Sequence, residues 1–284
     1  MNSRQYRNQF IEALIHLYGA DEAESFFYLI LENKHNLKRL DLALNPDLSF
    51  SEAQLQVWNS LLDQLKLEIP IQYLLGSTSF YGLEFKVNKN VLIPRPETEE
   101  LVDWIIETQK SKLQNQTIKI LDIGTGSGCI AISLAKNLPN ARVFALDVSK
   151  EALATAQENA TANDVNIHFI NQNILETTDL LQDFDIIVSN PPYVRDLEKQ
   201  EIKTNVLAHE PHLALFVPND DALVFYIKIT QLAKKNLVAK GQLYFEINQY
   251  LGAEMLAMVA NFGFSDIELR KDIYENDRML RALK

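Results

Sequence analysis

The chain's residue pattern predicts an α/β fold, in which a small helical domain precedes a mainly parallel, doubly wound sheet. Three observations carry the prediction. Apolar positions recur every three or four residues up to residue 70, a short alternating stretch follows, and strand-like and helical segments alternate after residue 117. The 284 residues, 47% apolar and 23% charged, leave room for two domains. The expected boundaries are 1–73 for the helical domain, 74–95 for a hairpin linker and 96–284 for the sheet domain.

In the first segment Phe10, Leu14 and Leu17, then Leu55, Trp58, Leu61, Leu62 and Leu65, fall at helical spacing. Asn45-Pro46 ends one helix, and Ser49 followed by Glu52 has capping-box spacing for the next. Phe80-Tyr81-Gly82 reads as a turn, after which Leu83, Phe85 and Val87 alternate as in a half-buried strand. Two prolines stiffen Leu92-Ile93-Pro94-Arg95-Pro96-Glu97-Thr98-Glu99, and Pro96 suits the first position of a helix with early carboxylates. Strands are expected at 118–123, 142–147, 167–170, 185–189 and 242–247, joined by right-handed crossovers. Residues 264–283 hold two more strand-like runs whose direction the pattern leaves open.

Charge and cysteine usage narrow the function classes. A net charge of −11 lacks the basic face with which a protein displaces counterions from nucleic acid, so no direct nucleic-acid substrate is expected. The first 75 residues carry six Lys/Arg against ten Asp/Glu, which offers no phosphate grip there either. The start of the chain lacks the apolar core of a secretory signal, and no long uncharged apolar run occurs, so a cytoplasmic protein without membrane segments is expected. The lone Cys129 and the absence of zinc-ligand spacing predict a reducing compartment and no metal.

Ile120-Leu121-Asp122-Ile123-Gly124-Thr125-Gly126-Ser127-Gly128 joins a predicted strand to a predicted helix, and its glycines let the backbone turn tightly against a ligand. Asp147 ends the next predicted strand, where such folds bind ribose hydroxyls. A dinucleotide fingerprint would place its third glycine at position 129, which is Cys129. Asp122 sits beside the loop without a Lys or Arg, an arrangement that repels phosphate and attracts an ammonium or sulfonium ion. S-adenosylmethionine carries both cations. A glycine turn without a ligand is the plainer reading, and the joint presence of Asp147 argues against it.

Asn190-Pro191-Pro192-Tyr193 follows the buried run 184–189, again at a strand's carboxyl end. The Asn190 side-chain oxygen and the Pro191 carbonyl can each accept one N–H of an incoming NH₂ group, and proline brings no competing donor. Tyr193 can stack on a planar substrate. Asn190, Pro191 and Tyr193 are therefore the candidate catalytic residues, with Pro192 beside them in the substrate pocket.

Together with Glu210-Pro211 before Ala214-Leu215, these motifs closely resemble the HemK/PrmC family over nearly the whole chain. The resemblance implies a Rossmann-like class I methyltransferase sheet and transfer to the glutamine amide of the Gly-Gly-Gln motif in class 1 peptide chain release factors. It implies that Gly124, Thr125, Gly126, Ser127 and Gly128 surround the methionine part of S-adenosylmethionine, that Asp147 binds its ribose, that Ile174 packs on its adenine and that Asn190 touches donor and glutamine alike. The helical domain would recognise the release factor. The chain departs from the family pattern at Asn173, where relatives often carry Asp, and at Asn248, where Gly is usual. A ribosomal-protein glutamine or a base amine remains an alternative target. His209 and His212 flank Pro211 and read as a surface loop, and Cys129 as a buried small residue.

Overall fold

The computed structural model describes residues 1–110, 117–202 and 204–284, which divide into two compact units, Met1–Gly76 with Thr204–His209 and Ser77–Lys203 with Glu210–Lys284. The smaller unit contains α1 (Ser3–Tyr18), α2 (Ala20–His35), α3 (Arg39–Leu44), α4 (Glu52–Lys66) and α5 (Ile71–Leu75). Its core is aromatic: Trp58 stacks on Phe27 at 4.7 Å and takes Phe10 edge-on at 5.6 Å. The buried stripe of α1 runs Tyr6, Phe10, Leu14, and Leu17 is turned outward with 49% of its surface exposed, contrary to its helical spacing. The cap of α4 also differs from expectation. Ser51, not Ser49, accepts the Gln54 N–H while the Gln54 side chain accepts the Ser51 N–H, so the same box forms two residues later.

The larger unit opens with a hairpin, β1 (Ser77–Phe80) and β2 (Leu83–Lys86). Tyr81 and Gly82 both take positive φ, 48° and 73°, the turn that matches the twist of paired strands. Phe80 and Phe85 are buried in the same apolar cluster as Leu101, Trp104 and Ile120, so the hairpin set apart by sequence as a linker packs as part of this unit. Its elements continue as α6 (Pro96–Lys110), β3 (Ile118–Ile123), α7 (Cys129–Asn137), β4 (Ala141–Asp147), α8 (Lys150–Ala162), β5 (Ile167–Asn171), β6 (Phe184–Ser189) and β7 (Val194–Arg195). After the short α9 (Thr204–His209) of the smaller unit come β8 (Phe216–Val217), α10 (Val224–Asn236), β9 (Leu237–Glu246), α11 (Gly252–Asn261), β10 (Ser265–Lys271) and β11 (Asp277–Leu283).

Among the described residues the main sheet has the order β10-β11-β9-β6-β3-β4-β5. Strands β9, β6, β3, β4 and β5 are parallel, and β11 is antiparallel to both β9 and β10. One apolar layer holds Leu101, Ile105, Ile130 and Leu134; the other holds Tyr226, Ile229, Leu243 and Met255. The chain winds outward from β3 to β4 and β5, then returns to β6 on the opposite side of β3. That reversal opens a crevice at the carboxyl ends of β3 and β6, where doubly wound sheets place their ligands. Buried Asn159 of α8 fastens one wall: its Nδ2 donates to the carbonyls of Lys86 (3.0 Å) and Ser127 (2.9 Å), and its Oδ1 accepts the Lys86 N–H (2.7 Å).

Candidate active site

The loops after β3 and β6 meet at a cavity of about 390 Å³, within the range of small-ligand sites. Gly124, Gly126, Asp147, Ile174, Asn190, Pro191 and Pro192 line it, with Val148, Asn173, Leu175 and Phe225. The loop after β3 is anchored by the Gly124 and Thr125 N–H groups, which donate to the Leu146 carbonyl at 2.8 and 3.1 Å. Gly124 and Gly126 have φ of 76° and 54°. A Cβ on Gly126 would meet no atom within 4 Å, so that face of the loop is open to a ligand.

Thr125, Ser127 and Gly128 lie behind this wall. Thr125 donates to Asp122 Oδ2 at 2.6 Å, and the Ser127 carbonyl takes the Asn159 bond. Gly128 caps α7 at φ 83°, with Ile132 Cδ1 only 2.9 Å from where a Cβ would stand. Asp122 differs from the sequence reading as well: it is fully buried beneath the loop and does not line the cavity. Burial pushes its carboxyl up to about 7, against the opposing Thr125 bond. It fastens the loop and presents no open charge to a cation.

Asp147 ends β4 at the cavity. Its Oδ2 accepts the Gly126 N–H and its Oδ1 the Ser149 N–H, both at 2.9 Å, which leaves acceptor capacity on each oxygen. Burial raises its carboxyl above the ordinary value, and those backbone bonds work the other way. Asn173 bonds the Leu175 N–H and the Glu176 carboxylate, so its amide shapes the turn that carries the buried Ile174 to the wall. These features fit an adenosine bearing a flexible, charged tail: a carboxylate for its hydroxyls, apolar Val148, Ile174 and Leu175 for its base, and bare glycine backbone for the tail.

On the other wall Ser189 donates to the Ile123 carbonyl at 2.6 Å and pins the ends of β3 and β6 together. Asn190 Nδ2 donates to Thr98 Oγ1 (3.3 Å), and Thr98 Oγ1 donates to Glu246 Oε2 (2.6 Å). Tyr193 is turned away from the cavity. Its hydroxyl donates to Glu246 Oε1 at 3.1 Å and its ring packs on the core beside α10, and Asn248 Nδ2 donates to the Tyr193 carbonyl at 3.0 Å as the chain enters β7. Tyr193 is not among the residues that line the cavity. The buried Asn248 also donates to the Glu198 carboxylate, which gives this departure from the family pattern a structural task. Glu210 reaches back to the proline loop, accepting from Arg95 and from the Ile93 N–H.

Sequence reasoning assigns no role to Thr98 or Glu246. The signal was there: a carboxylate inside the apolar run Leu243-Tyr244-Phe245-Glu246-Ile247, at a strand's carboxyl end, is seldom buried without a partner. Burial raises the Glu246 carboxyl, while the Thr98 bond and the Arg278 charge draw it back. Among the described residues no cluster of side chains is suited to hold a metal ion.

The PrmC N-terminal domain model matches residues 5–76, and the methyltransferase small domain model matches residues 104–214. A release factor glutamine methyltransferase of Flavobacterium psychrophilum is 62% identical over 279 residues, 98% of each chain. One from Bacteroides thetaiotaomicron is 43% identical, covering 95% of this chain and 96% of its own. The chain belongs to the release factor glutamine methyltransferase family. Solved structures show the same fold at low identity. A T. thermophilus 16S rRNA N2 G1207 methyltransferase superposes with TM-score 0.53 at 19% identity, over 73% of this chain and 49% of that one. A Pyrococcus furiosus methyltransferase gives 0.50 at 20%, over 72% and 91%. The family's methyltransferase sheet is the expected Rossmann-like one, completed by the antiparallel β10 and β11.

Proposed function

We propose that this chain transfers a methyl group from S-adenosylmethionine to the side-chain amide nitrogen of the glutamine in the Gly-Gly-Gln motif of class 1 peptide chain release factors. The observation that carries the reading is the Asn190 amide: its nitrogen is tied to Thr98, its oxygen takes no hydrogen bond from the described residues, and the residue lines the cavity beside the glycine loop. Asp147, Ile174, Gly124 and Gly126 hold the donor, and Thr125, Ser127 and Gly128 give the loop its shape.

Bound there, S-adenosylmethionine supplies a methyl carbon made electrophilic by its sulfonium. The remaining work is positioning, since an amide nitrogen shares its lone pair with its carbonyl and no side chain here is basic enough to deprotonate it beforehand; as the N–C bond forms and the S–C bond breaks, the nitrogen becomes strongly acidic and gives up one proton to solvent. Asn190 Oδ1 and the Pro191 carbonyl take the two N–H bonds of the glutamine amide and turn the nitrogen's face toward the donor. The prolines keep competing N–H donors out, and the apolar wall of Pro191, Pro192 and Phe225 excludes water, which strengthens those bonds. Tyr193 acts behind the pocket by holding Glu246.

The helical unit matched by the PrmC N-terminal domain model recognises the release factor. The acidic charge of −11 favours a protein substrate over a nucleic-acid base, and a cytoplasmic location follows from a translation factor as substrate. Among the described residues no helix is long and apolar enough to cross a membrane.

The test is transfer of labelled methyl to purified release factor, with the Gly-Gly-Gln glutamine changed to alanine in a parallel sample. Label on the first and not the second is expected, and label on both would reject the target. Asn190→Ala should bind donor normally by calorimetry yet turn over at least a hundredfold more slowly, about 3 kcal/mol of barrier. Undiminished turnover would remove Asn190 from the mechanism.

A further inference from the structure

An asparagine side chain is nearly symmetric in shape but opposite in polarity at its two ends. Rotated by half a turn, Asn190 would offer NH₂ to an incoming amide and repel its hydrogens. Something must decide which end faces the cavity. We propose that Thr98 and Glu246 are positioning residues that set the polarity of Asn190, an inference that rests on the reading of Asn190 as the amide acceptor.

The decision passes along a chain of three side chains. Glu246 as a carboxylate only accepts; it takes Tyr193 on one oxygen and Thr98 on the other, at 3.1 and 2.6 Å. A hydroxyl has a single hydrogen, so once Thr98 gives it to Glu246 only lone pairs remain to face Asn190. Those lone pairs accept the Asn190 NH₂ at 3.3 Å and hold the amide with its oxygen outward. Thr98 and Glu246 are each only 2% exposed, so water cannot take over either bond.

The three residues come from the first turn of α6, the end of β9 and the end of β6. A buried carboxylate at such a junction costs stability unless fully bonded, and here both of its oxygens are engaged. Burial, and to a lesser extent Glu97, works against ionisation of Glu246; the Thr98 and Tyr193 hydrogen bonds and the Arg278 charge favour the carboxylate. Arg278 is itself held by Asp272 at 2.9 Å and by the Ile247 carbonyl at 3.3 Å. The carboxylate thus acts on the substrate through two intervening side chains and never touches it.

Thr98→Val keeps the shape of the side chain and deletes its hydroxyl; Thr98→Ser keeps the hydroxyl. In the methyl-transfer assay Thr98→Val should lower kcat ten- to a hundredfold, with donor Kd within twofold of the parent, and Thr98→Ser should stay within threefold of the parent in both. A second readout needs neither donor nor substrate. In protein labelled with ¹⁵N-asparagine, the Asn190 NH₂ resonances, assigned by their loss in Asn190→Ala, should exchange with solvent at least tenfold faster in Thr98→Val and at the parental rate in Thr98→Ser. Should the valine variant not fold, Thr98→Ala is read in its place with the same expectations. Parental exchange in Thr98→Val, equal damage in the serine and valine variants, or a loss confined to donor Kd would each overturn the proposal. If the parent transfers no label to the release factor, the proposed function fails, and the exchange measurement alone decides whether Thr98 holds Asn190.

Discussion

Gly126 and Gly128 are two residues apart in one loop, yet alanine at each should fail in a different way. Both have left-handed backbone, φ 54° and 83°, which costs a residue with a Cβ about 1–2 kcal/mol. At Gly128 the new methyl would stand 2.9 Å from Ile132 Cδ1, 3.1 Å from Ala156 Cβ and 3.4 Å from Ala156 Cα, between α7 and α8. Ile132 and Ala156 are fully buried and have nowhere to retreat, so overpacking adds roughly 1–3 kcal/mol, for a total of about 2–5 kcal/mol. At Gly126 nothing lies within 4 Å, and the methyl would stand on the cavity wall. Gly126→Ala should therefore lose only about 1–2 kcal/mol of stability, while donor Kd rises tenfold or more because the tail loses its close approach to the backbone. Urea unfolding and donor calorimetry on the same two variants separate the cases. Equal stability losses, or an unchanged donor Kd in Gly126→Ala, would refute this division of the loop into a packed side and a ligand side.

Two further outcomes follow from buried groups. Asp122 titrates at about 7 in the folded chain against an ordinary 3.8, so the stability it contributes is complete below pH 4 and is lost as pH rises toward 7. Asp122→Asn retains an acceptor for Thr125 and lacks that slope; its stability relative to the parent should climb between pH 4 and pH 7 and level off above, and a flat difference in urea unfolding across that range would contradict the burial argument. The Cys129 thiol is buried and its pKa is pushed up to about 12, so it should resist an aromatic disulfide reagent in the native chain and react promptly in denaturant; rapid native reaction would show that α7 opens.

The parts of the site built from local pattern were the most legible. Glycines between an apolar strand and a helix, and Asn190-Pro191-Pro192 after a buried run, place two loops at strand ends whatever the strand order. The strand order itself then brings those loops together across β3 and β6. What escaped was decided by register and by distance along the chain. Whether Asp122 faces the ligand or the floor depends on which way a strand's final side chains alternate, and alternation puts it on the face of Ile118 and Ile120, packed against α6 and α7. The Tyr193 hydroxyl finds its partner in Glu246, 53 residues on, a contact no local pattern reveals. Thr98 and Glu246 meet across 148 positions, beyond the reach of any periodicity. The direction of β10 and β11 was available in principle: the five residues between Lys271 and Asp277 cannot make the crossover that parallel neighbours require.

Asn159 joins parts of the chain that the sheet leaves separate. One amide nitrogen bridges the end of the hairpin and the glycine loop, at the carbonyls of Lys86 and Ser127. A tug on the hairpin is thus delivered to the loop through a single atom, as through a shared rivet. Hydrolysis of that amide to a carboxylate would set a negative oxygen against two carbonyls and release both stretches at once, so a change of one functional group would slacken a whole wall of the cavity.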